Sequence, residues 1–520
     1  MRLKSTLFQL AALQLASLLL LGGCAVNPVT GQNELAFVSE QQELSIGQKN
    51  YGPYRQAQGG DYVLEPELTH YVQSVGERLA AVSDRKLPYE FSIINDATPN
   101  AWALPGGKIS INRGLLAELD SEAELAAVLA HEIVHAAARH SAQSMERGVF
   151  LQGALIAAGI ALGDSGYSDI GMLGANLGAQ LTNQKFGRDD ETEADLYGMR
   201  YMVRAGYDPA AAVSLQETFV RLAGDEAPGW LDGLFASHPP SPERVQDNRR
   251  LLTELGNPGG EIGHARYQRA IARIKRNKPA YAAYDTAKKA LAADDRATAL
   301  RKVDEALRIE PDEAAFYTLR GEIKAMGKDT RAAYKDLDRA VALNPGYFRP
   351  LLARGVVRRL SGDDAGAAAD LRRSAELLPT AEAYYGLGLV SAEQGERAQA
   401  VGYLRKAATS QSAVGQRAGV QLAKLDLEAN PGRYLSTALG LTQDGYLVVN
   451  VSNDTKVAVR DIEVTLGPRS GDSIRRQAVA PLGMTLQAGQ KAQLRTRFGP
   501  MDLATARRYG AAVSAARLAE

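Results

Sequence analysis

The chain has 520 residues, 45 % apolar and 23 % charged, a globular composition with length for about three or four domains. Lys plus Arg and Asp plus Glu number 60 each, so the net charge is zero, which gives no footing for nucleic-acid binding or for a polybasic membrane patch. A single cysteine excludes an intrachain disulfide.

Arg2 and Lys4 form a basic start, Leu7 to Gly23 carries no charge, and Leu21-Gly22-Gly23-Cys24 follows. The apolar stretch reads as a secretory signal at 1–23. Its L-G-G-C ending resembles a bacterial lipoprotein box, which implies lipidation of Cys24. A transmembrane anchor is the alternative, but the run is short and ends in two glycines and a cysteine. Ala25 follows the cysteine rather than Asp; in enteric bacteria that resemblance implies the outer membrane. Residues 24–60 read as a short tether that becomes helical. Pro66 to Val82 is a helix candidate with Leu68, Val72, Val75 and Leu79 on one face. Tyr89 to Ile94 reads as a strand, and Asn100 to Ile111 as two strands joined by the Gly106-Gly107 turn.

Next comes the densest chemistry in the chain, His131-Glu132-Ile133-Val134-His135. Histidines at i and i+4 share one helix face and can offer two ring nitrogens to one metal ion. Glu132, beside them, can polarise a water and shuttle its proton. Zinc suits neutral imidazole and carboxylate ligands. The surrounding ELAAVLAHEIVH is apolar, so this helix is expected to be mostly buried. Residues 148–183 are rich in Gly, Ala and Leu, and read either as a buried helical hairpin or as a mobile apolar lid. Arg188 to Asp195 then reads RDDETEAD. Glu191 and Asp195 share a face, so Glu191 can be the third ligand while Asp195 accepts a hydrogen bond from a ligand histidine. Glu193 competes for the ligand position but lies about 200° round the helix, at roughly 100° per residue.

H-E-x-x-H followed by Glu191-x-Glu193-Ala194-Asp195 resembles the HtpX and CAAX-prenyl-protease family of zinc metallopeptidases. The family motif E-x-x-A-D carries the third ligand to Glu191. The resemblance extends to the N-P-V-T-G stretch after Cys24, found in lipoproteins of this family, and to Ser237-His238-Pro239-Pro240-Ser241-Pro242-Glu243-Arg244, which matches its H-P-x-x-x-x-R segment. It implies that the strand unit before the metal helix lines the cleft, so that Asn100 and Ala101 could bind an extended substrate by backbone pairing; an ordinary core hairpin is the alternative. His238 has three readings: a bond to a backbone carbonyl, a donor to the oxyanion, or a zinc ligand that fills the open position at rest.

Asn257-Pro258-Gly259-Gly260 reads as a linker. Beyond it Pro311, Pro345 and Pro379 recur every 34 residues, with Gly321 and Gly355 in step and Gly327, Gly362 and Gly395 near one later phase. This period resembles tetratricopeptide repeats, whose stacked helix pairs form a peptide-binding groove. Asn430-Pro431-Gly432 ends the helices. From Gly445 onward β-branched and alternating runs predict a small antiparallel sandwich.

The chain is therefore expected to be multidomain: an α+β zincin-like metallopeptidase domain at 61–256, an α-helical repeat solenoid at 265–430 and a small all-β sandwich-like domain at 441–520. A peptidase followed by such repeats resembles the BepA-like periplasmic proteases. That resemblance implies a lipid-anchored zinc endopeptidase in the periplasm, at the outer membrane of a Gram-negative bacterium. Its expected substrates are misfolded or stalled envelope proteins, and its repeats are expected to recruit them or to dock on outer-membrane assembly machinery. A non-proteolytic chaperone or scaffold that keeps the motif as a relic is the competing class, against which the intact Glu132 argues.

Overall fold

The computed structural model describes residues 24–35, 38–144, 186–225, 238–470 and 473–519. The signal stretch at 1–23, the apolar stretch at 148–183 and Ser237 lie outside the described residues. Two compact units divide the chain, Met1–Phe316 and Tyr317–Glu520.

In the first unit the segment after Cys24 is a hairpin rather than a plain tether. Strand β1 (Cys24–Val26) pairs antiparallel with β2 (Asn33–Leu35). Asn27 makes the turn: its Oδ1 accepts from the backbone N–H of Val29 and Thr30, and Gly31 supplies the left-handed residue at φ 73°. Helix Glu40–Ala57 follows, opened by a capping box between Ser39 and Gln42.

Helix Pro66–Ala80 buries the predicted stripe of Leu68, Val72, Val75 and Leu79. Gly76 on that face lets it reach the sheet, where an added Cβ would lie 2.6 Å from the Phe91 ring. The sheet has three strands in the order β3-β5-β4. β3 (Glu90–Ile94) runs parallel to β5 (Lys108–Asn112), and β4 (Ala101–Leu104) turns back antiparallel to β5. Gly106 and Gly107, at φ 78° and 80°, make the tight connection. β4 is thus an edge strand among the described residues.

The motif helix, Glu122–Ala137, is the centre of the core, and nearly every side chain on it is buried. Helices Arg188–Arg204, Ala210–Asp225 and Pro242–Glu254 complete this part. Helices His264–Ala270, Ala272–Ala292 and Arg296–Ile309 belong to the same compact unit. Ile271 and Ile274 enter the peptidase core. The Arg113 guanidinium lies 3.3 Å from the Tyr281 ring centroid, and Lys278 pairs with Glu118 at 2.7 Å. Pro279 sits inside helix Ala272–Ala292.

The second unit starts with antiparallel helix pairs whose repeat is physical as well as textual. Gly321, Gly355 and Gly388 are the points where a Cβ would collide with Leu337, Leu371 and Leu404 of the following helix. Arg320 pairs with Asp336, and Arg354 with Asp370, both 16 residues on. The phase is set by backbone conformation more than by residue type. The left-handed positions are Lys328, Gly362 and Gly395 here and Asp294 in the first unit, so Gly327 falls one residue early.

Two small sheets end the chain, ordered β11-β7-β6 and β10-β8-β12, with the short β9 (Ser473–Ile474) beside β8. They comprise β6 (Leu435–Leu441), β7 (Leu447–Asn453), β8 (Val459–Ser470), β10 (Ala478–Pro481), β11 (Lys491–Arg495) and β12 (Tyr509–Leu518). Val449, Val451, Ile462, Val464, Leu466 and Val513 share one apolar core. Asp461, at φ 51°, shifts the inward phase of β8 so that both Val459 and Ile462 are buried. Among the described residues no helix is long and apolar enough to cross a membrane.

Candidate metal centre and active site

Polar contacts at its start hold the motif helix. Ser121 Oγ caps it by accepting from Glu124 N at 3.1 Å. Buried Glu122 accepts from the hydroxyls of Tyr71 and Tyr207, at 2.5 and 2.8 Å, and pairs with Arg266. On the next turns His131 and His135 face one way, with Nε2 atoms 3.1 Å apart.

Helix Arg188–Arg204 crosses this face closely because Gly198 has no side chain. A Cβ there would lie 3.3 Å from His131 N. Glu191, Asp195 and Gly198 form one buried stripe. Glu191 Oε2 lies 3.6 Å from His131 Nε2, and its Oε1 lies 3.5 Å from His135 Nε2. His238 closes the group, with Nδ1 2.7 Å from Glu191 Oε1 and 3.3 Å from His131 Nε2. Ligand atoms of His131, His135, Glu191 and His238 all lie within 4.8 Å of one another.

This donor set fits a tetrahedral metal ion. Nitrogen or oxygen ligands at about 2.0–2.1 Å from such an ion sit about 3.3 Å apart. Two imidazole nitrogens that face each other across 3.1 Å need a cation or a proton between their lone pairs. Glu132 Oε2 and Glu191 Oε2 are buried without a hydrogen-bond partner, as acceptors left for a ligand would be. Arg244 Nη1 forms an ion pair with Glu191 Oε2 at 2.9 Å.

Asp195 Oδ1 lies 3.0 Å from His131 Nδ1. This places the ring proton on Nδ1 and leaves Nε2 as the donor atom. Burial alone would raise the Asp195 carboxyl, but the Arg244 charge and the His131 bond hold it below the usual carboxylate range. Arg244 grips both Asp195 oxygens at 2.8 and 3.0 Å. Burial pushes the Glu132 carboxyl up, and His238 and His131 only partly oppose it. Glu132 Oε1 lies 3.6 Å from His238 Nε2.

Every residue expected at the metal centre lies in this cluster or in contact with it. Glu193, the competitor, faces away from it: its Oε1 lies 3.4 Å from His140 Nε2 and accepts from Asn27 Nδ2 at 3.2 Å. His140 and Phe186 are residues that the sequence reading passed over. His140 Nδ1 lies 2.9 Å from His135 Nδ1, and the Phe186 ring stacks on His135 at 4.0 Å. Arg244 was visible only as the last letter of a motif. Ala101 opens edge strand β4, and Asn100 O accepts from Asn112 N at 2.8 Å. Asn100 Oδ1 and Trp102 Nε1 are buried without partners. Ser141 Oγ, just past the motif helix, donates to Ala103 O at 3.4 Å. Cys24 stands at the start of β1, outside this cluster.

Residues 66–251 match the family model of Peptidase family M48. A beta-barrel assembly-enhancing protease of Escherichia coli is 32 % identical over 224 residues, covering 41 % of this chain and 45 % of that one. The mitochondrial metalloendopeptidase OMA1 of Schizosaccharomyces pombe is 35 % identical over 233 residues, covering 44 % and 66 %. The chain thus spans less than two thirds of each of these relatives. Among solved structures, the crystal structure of MamA aligns with 31 % of this chain and 91 % of its own at 22 % identity and TM-score 0.24. The Arabidopsis OM64 TPR domain aligns with 23 % and 98 % at 18 % identity and TM-score 0.22. The family match, one relative named a metalloendopeptidase and another named a protease support a metalloendopeptidase. The likeness to peptidase family M48 is carried by residues 66–251.

Proposed function

We propose that the chain is a zinc endopeptidase of the bacterial envelope. The convergence of His131, His135 and Glu191 beside Glu132, whose Oε2 is buried without a hydrogen-bond partner, carries this reading. These three residues would hold the metal. When bound, zinc supplies a Lewis acid for the scissile carbonyl and lowers the pKa of a water. Glu132, buried and pushed toward protonation, takes the proton of the attacking water at its free Oε2 and passes it to the leaving amine. Asp195 and Arg244 keep His131 and Glu191 in place. His238, within the ligand group, is best read as a fourth ligand that restrains the resting enzyme.

An extended substrate would add to edge strand β4 at Asn100 and Ala101. The name of these relatives, beta-barrel assembly-enhancing protease, supports misfolded or stalled outer-membrane proteins as substrates of this chain. The repeats would recruit them or dock on assembly machinery, and the terminal sheets would form a sandwich-like module. Lipidation of Cys24 would anchor the chain in the periplasm at the outer membrane. Metal analysis tests the site directly: about one zinc per chain is expected, lost in His131→Ala and Glu191→Ala. Loss on Glu193→Ala with retention on Glu191→Ala would contradict the ligand assignment.

A further inference from the structure

His131 and His135 are held in different ways. His131 Nδ1 meets the Asp195 carboxylate directly, at 3.0 Å. His135 Nδ1 meets another imidazole, His140 Nδ1, at 2.9 Å. His135 Nε2 belongs to the ligand group, so its proton sits on Nδ1 and His140 Nδ1 must accept it. His140 then carries its own proton on Nε2, which lies 3.4 Å from Glu193 Oε1. The pair is sealed from water, with His135 0 % and His140 1 % exposed. A turn at Arg139, at φ 66°, brings His140 back against the motif helix. Glu193 therefore sets its charge behind His135, through His140, as Asp195 does at first hand for His131.

Glu193 is in turn held from the N-terminal hairpin. Asn27 is 1 % exposed, and all its side-chain hydrogen-bonding capacity is used. Oδ1 accepts from Val29 and Thr30 at 2.9 and 3.2 Å. That fixes which end of the amide is the donor. Nδ2 donates to Glu34 Oε1 at 2.9 Å and to Glu193 Oε1 at 3.2 Å. The second oxygen of Glu34 accepts from Gln143 Nε2, which ties the hairpin to the chain beyond the motif helix.

We infer that Asn27, Glu193 and His140 form a relay of positioning residues for the metal ligand His135. The hairpin just after Cys24 is thus part of the metal centre. This rests on the metallopeptidase reading. It explains why a turn beside the anchor spends a buried asparagine on a carboxylate 166 positions away. Residues that orient metal ligands from behind are typically worth 10–100-fold in metal affinity or activity.

The test uses the full chain, with zinc affinity read by competition with a chromophoric chelator and ligand geometry by the visible spectrum of the cobalt-substituted protein. N27D keeps the Oδ1 bonds of the turn but sets a carboxylate oxygen against Glu34 and Glu193. E193Q leaves the turn untouched and removes the charge behind His140. Each is expected to weaken zinc binding about 10–100-fold and to shift the cobalt spectrum. In the double variant the new amide at 193 can donate to the new carboxylate at 27, so the two losses should not multiply. E193Q with wild-type affinity and spectrum overturns the relay, even if N27D misfolds. So does a double variant whose loss is the product of the two singles. A wild-type chain that binds no zinc would instead sink the metallopeptidase reading itself.

Discussion

His238 Nδ1 lies 2.7 Å from Glu191 Oε1, which brings a third imidazole into the group that His131 and His135 form with Glu191. With a metal bound, a fourth protein donor there would take the position a catalytic site leaves open for water. His238→Ala should therefore raise the turnover of a short peptide, or produce self-cleavage, while zinc binding weakens. Steady-state hydrolysis and chelator competition check both. A fall of about 100-fold in turnover with zinc binding unchanged would assign His238 to the oxyanion instead.

Phe316 lies inside helix Ala314–Met326, so the chain should be cut before that helix. A variant that ends at Glu313 should hydrolyse a short peptide as the full chain does and handle unfolded proteins poorly. A variant that also lacks residues 272–313 loses Ile274 from the peptidase core, and with it the Tyr281 ring under Arg113. Losing a large aliphatic side chain from a core costs about 2–5 kcal/mol. Thermal unfolding should rank the two variants clearly. Equal stability would show that the helices after Ile271 do not support the peptidase core.

Cys24→Ser should release the chain from the membrane fraction, because no described helix can span a bilayer. Asn27 is three residues on, at most about 11 Å of extended chain, so a lipid on Cys24 would hold the metal centre close to the membrane. Fractionation of cells that express the variant is the measurement. Persistent membrane association would point to a protein partner or to an uncleaved N-terminal helix.

What could be read in the sequence was whatever is local or periodic. His131 and His135, or Glu191 and Asp195, declare a shared face by spacing alone. The repeats show in the recurrence of Gly321 and Gly355, whose missing side chains admit Leu337 and Leu371. Contacts between distant segments left no such mark. Asn27 reads as a turn residue, and nothing local points to Glu193. His140 stands five positions past His135, off the helical face, and only the left-handed Arg139 returns it to its partner. Lys328 was missed as the capping position because a glycine stands next to it, and conformation rather than composition sets the phase. β6 was missed because Ser436, Ala438 and Gly440 dilute its alternation and only Leu435 is buried.

Glu132 is expected to drive peptide-bond hydrolysis at a zinc held by its neighbours. The most direct measurement is cleavage of an unfolded protein by zinc-loaded wild-type chain and by Glu132→Gln, which keeps the shape of the side chain and removes the base. The wild type should cleave. The variant should bind zinc to the same level and lose activity by at least 100-fold, the range expected for a missing general base. Equal cleavage by both, or none by either with zinc bound, would contradict the peptidase assignment and leave the chaperone or scaffold reading in its place.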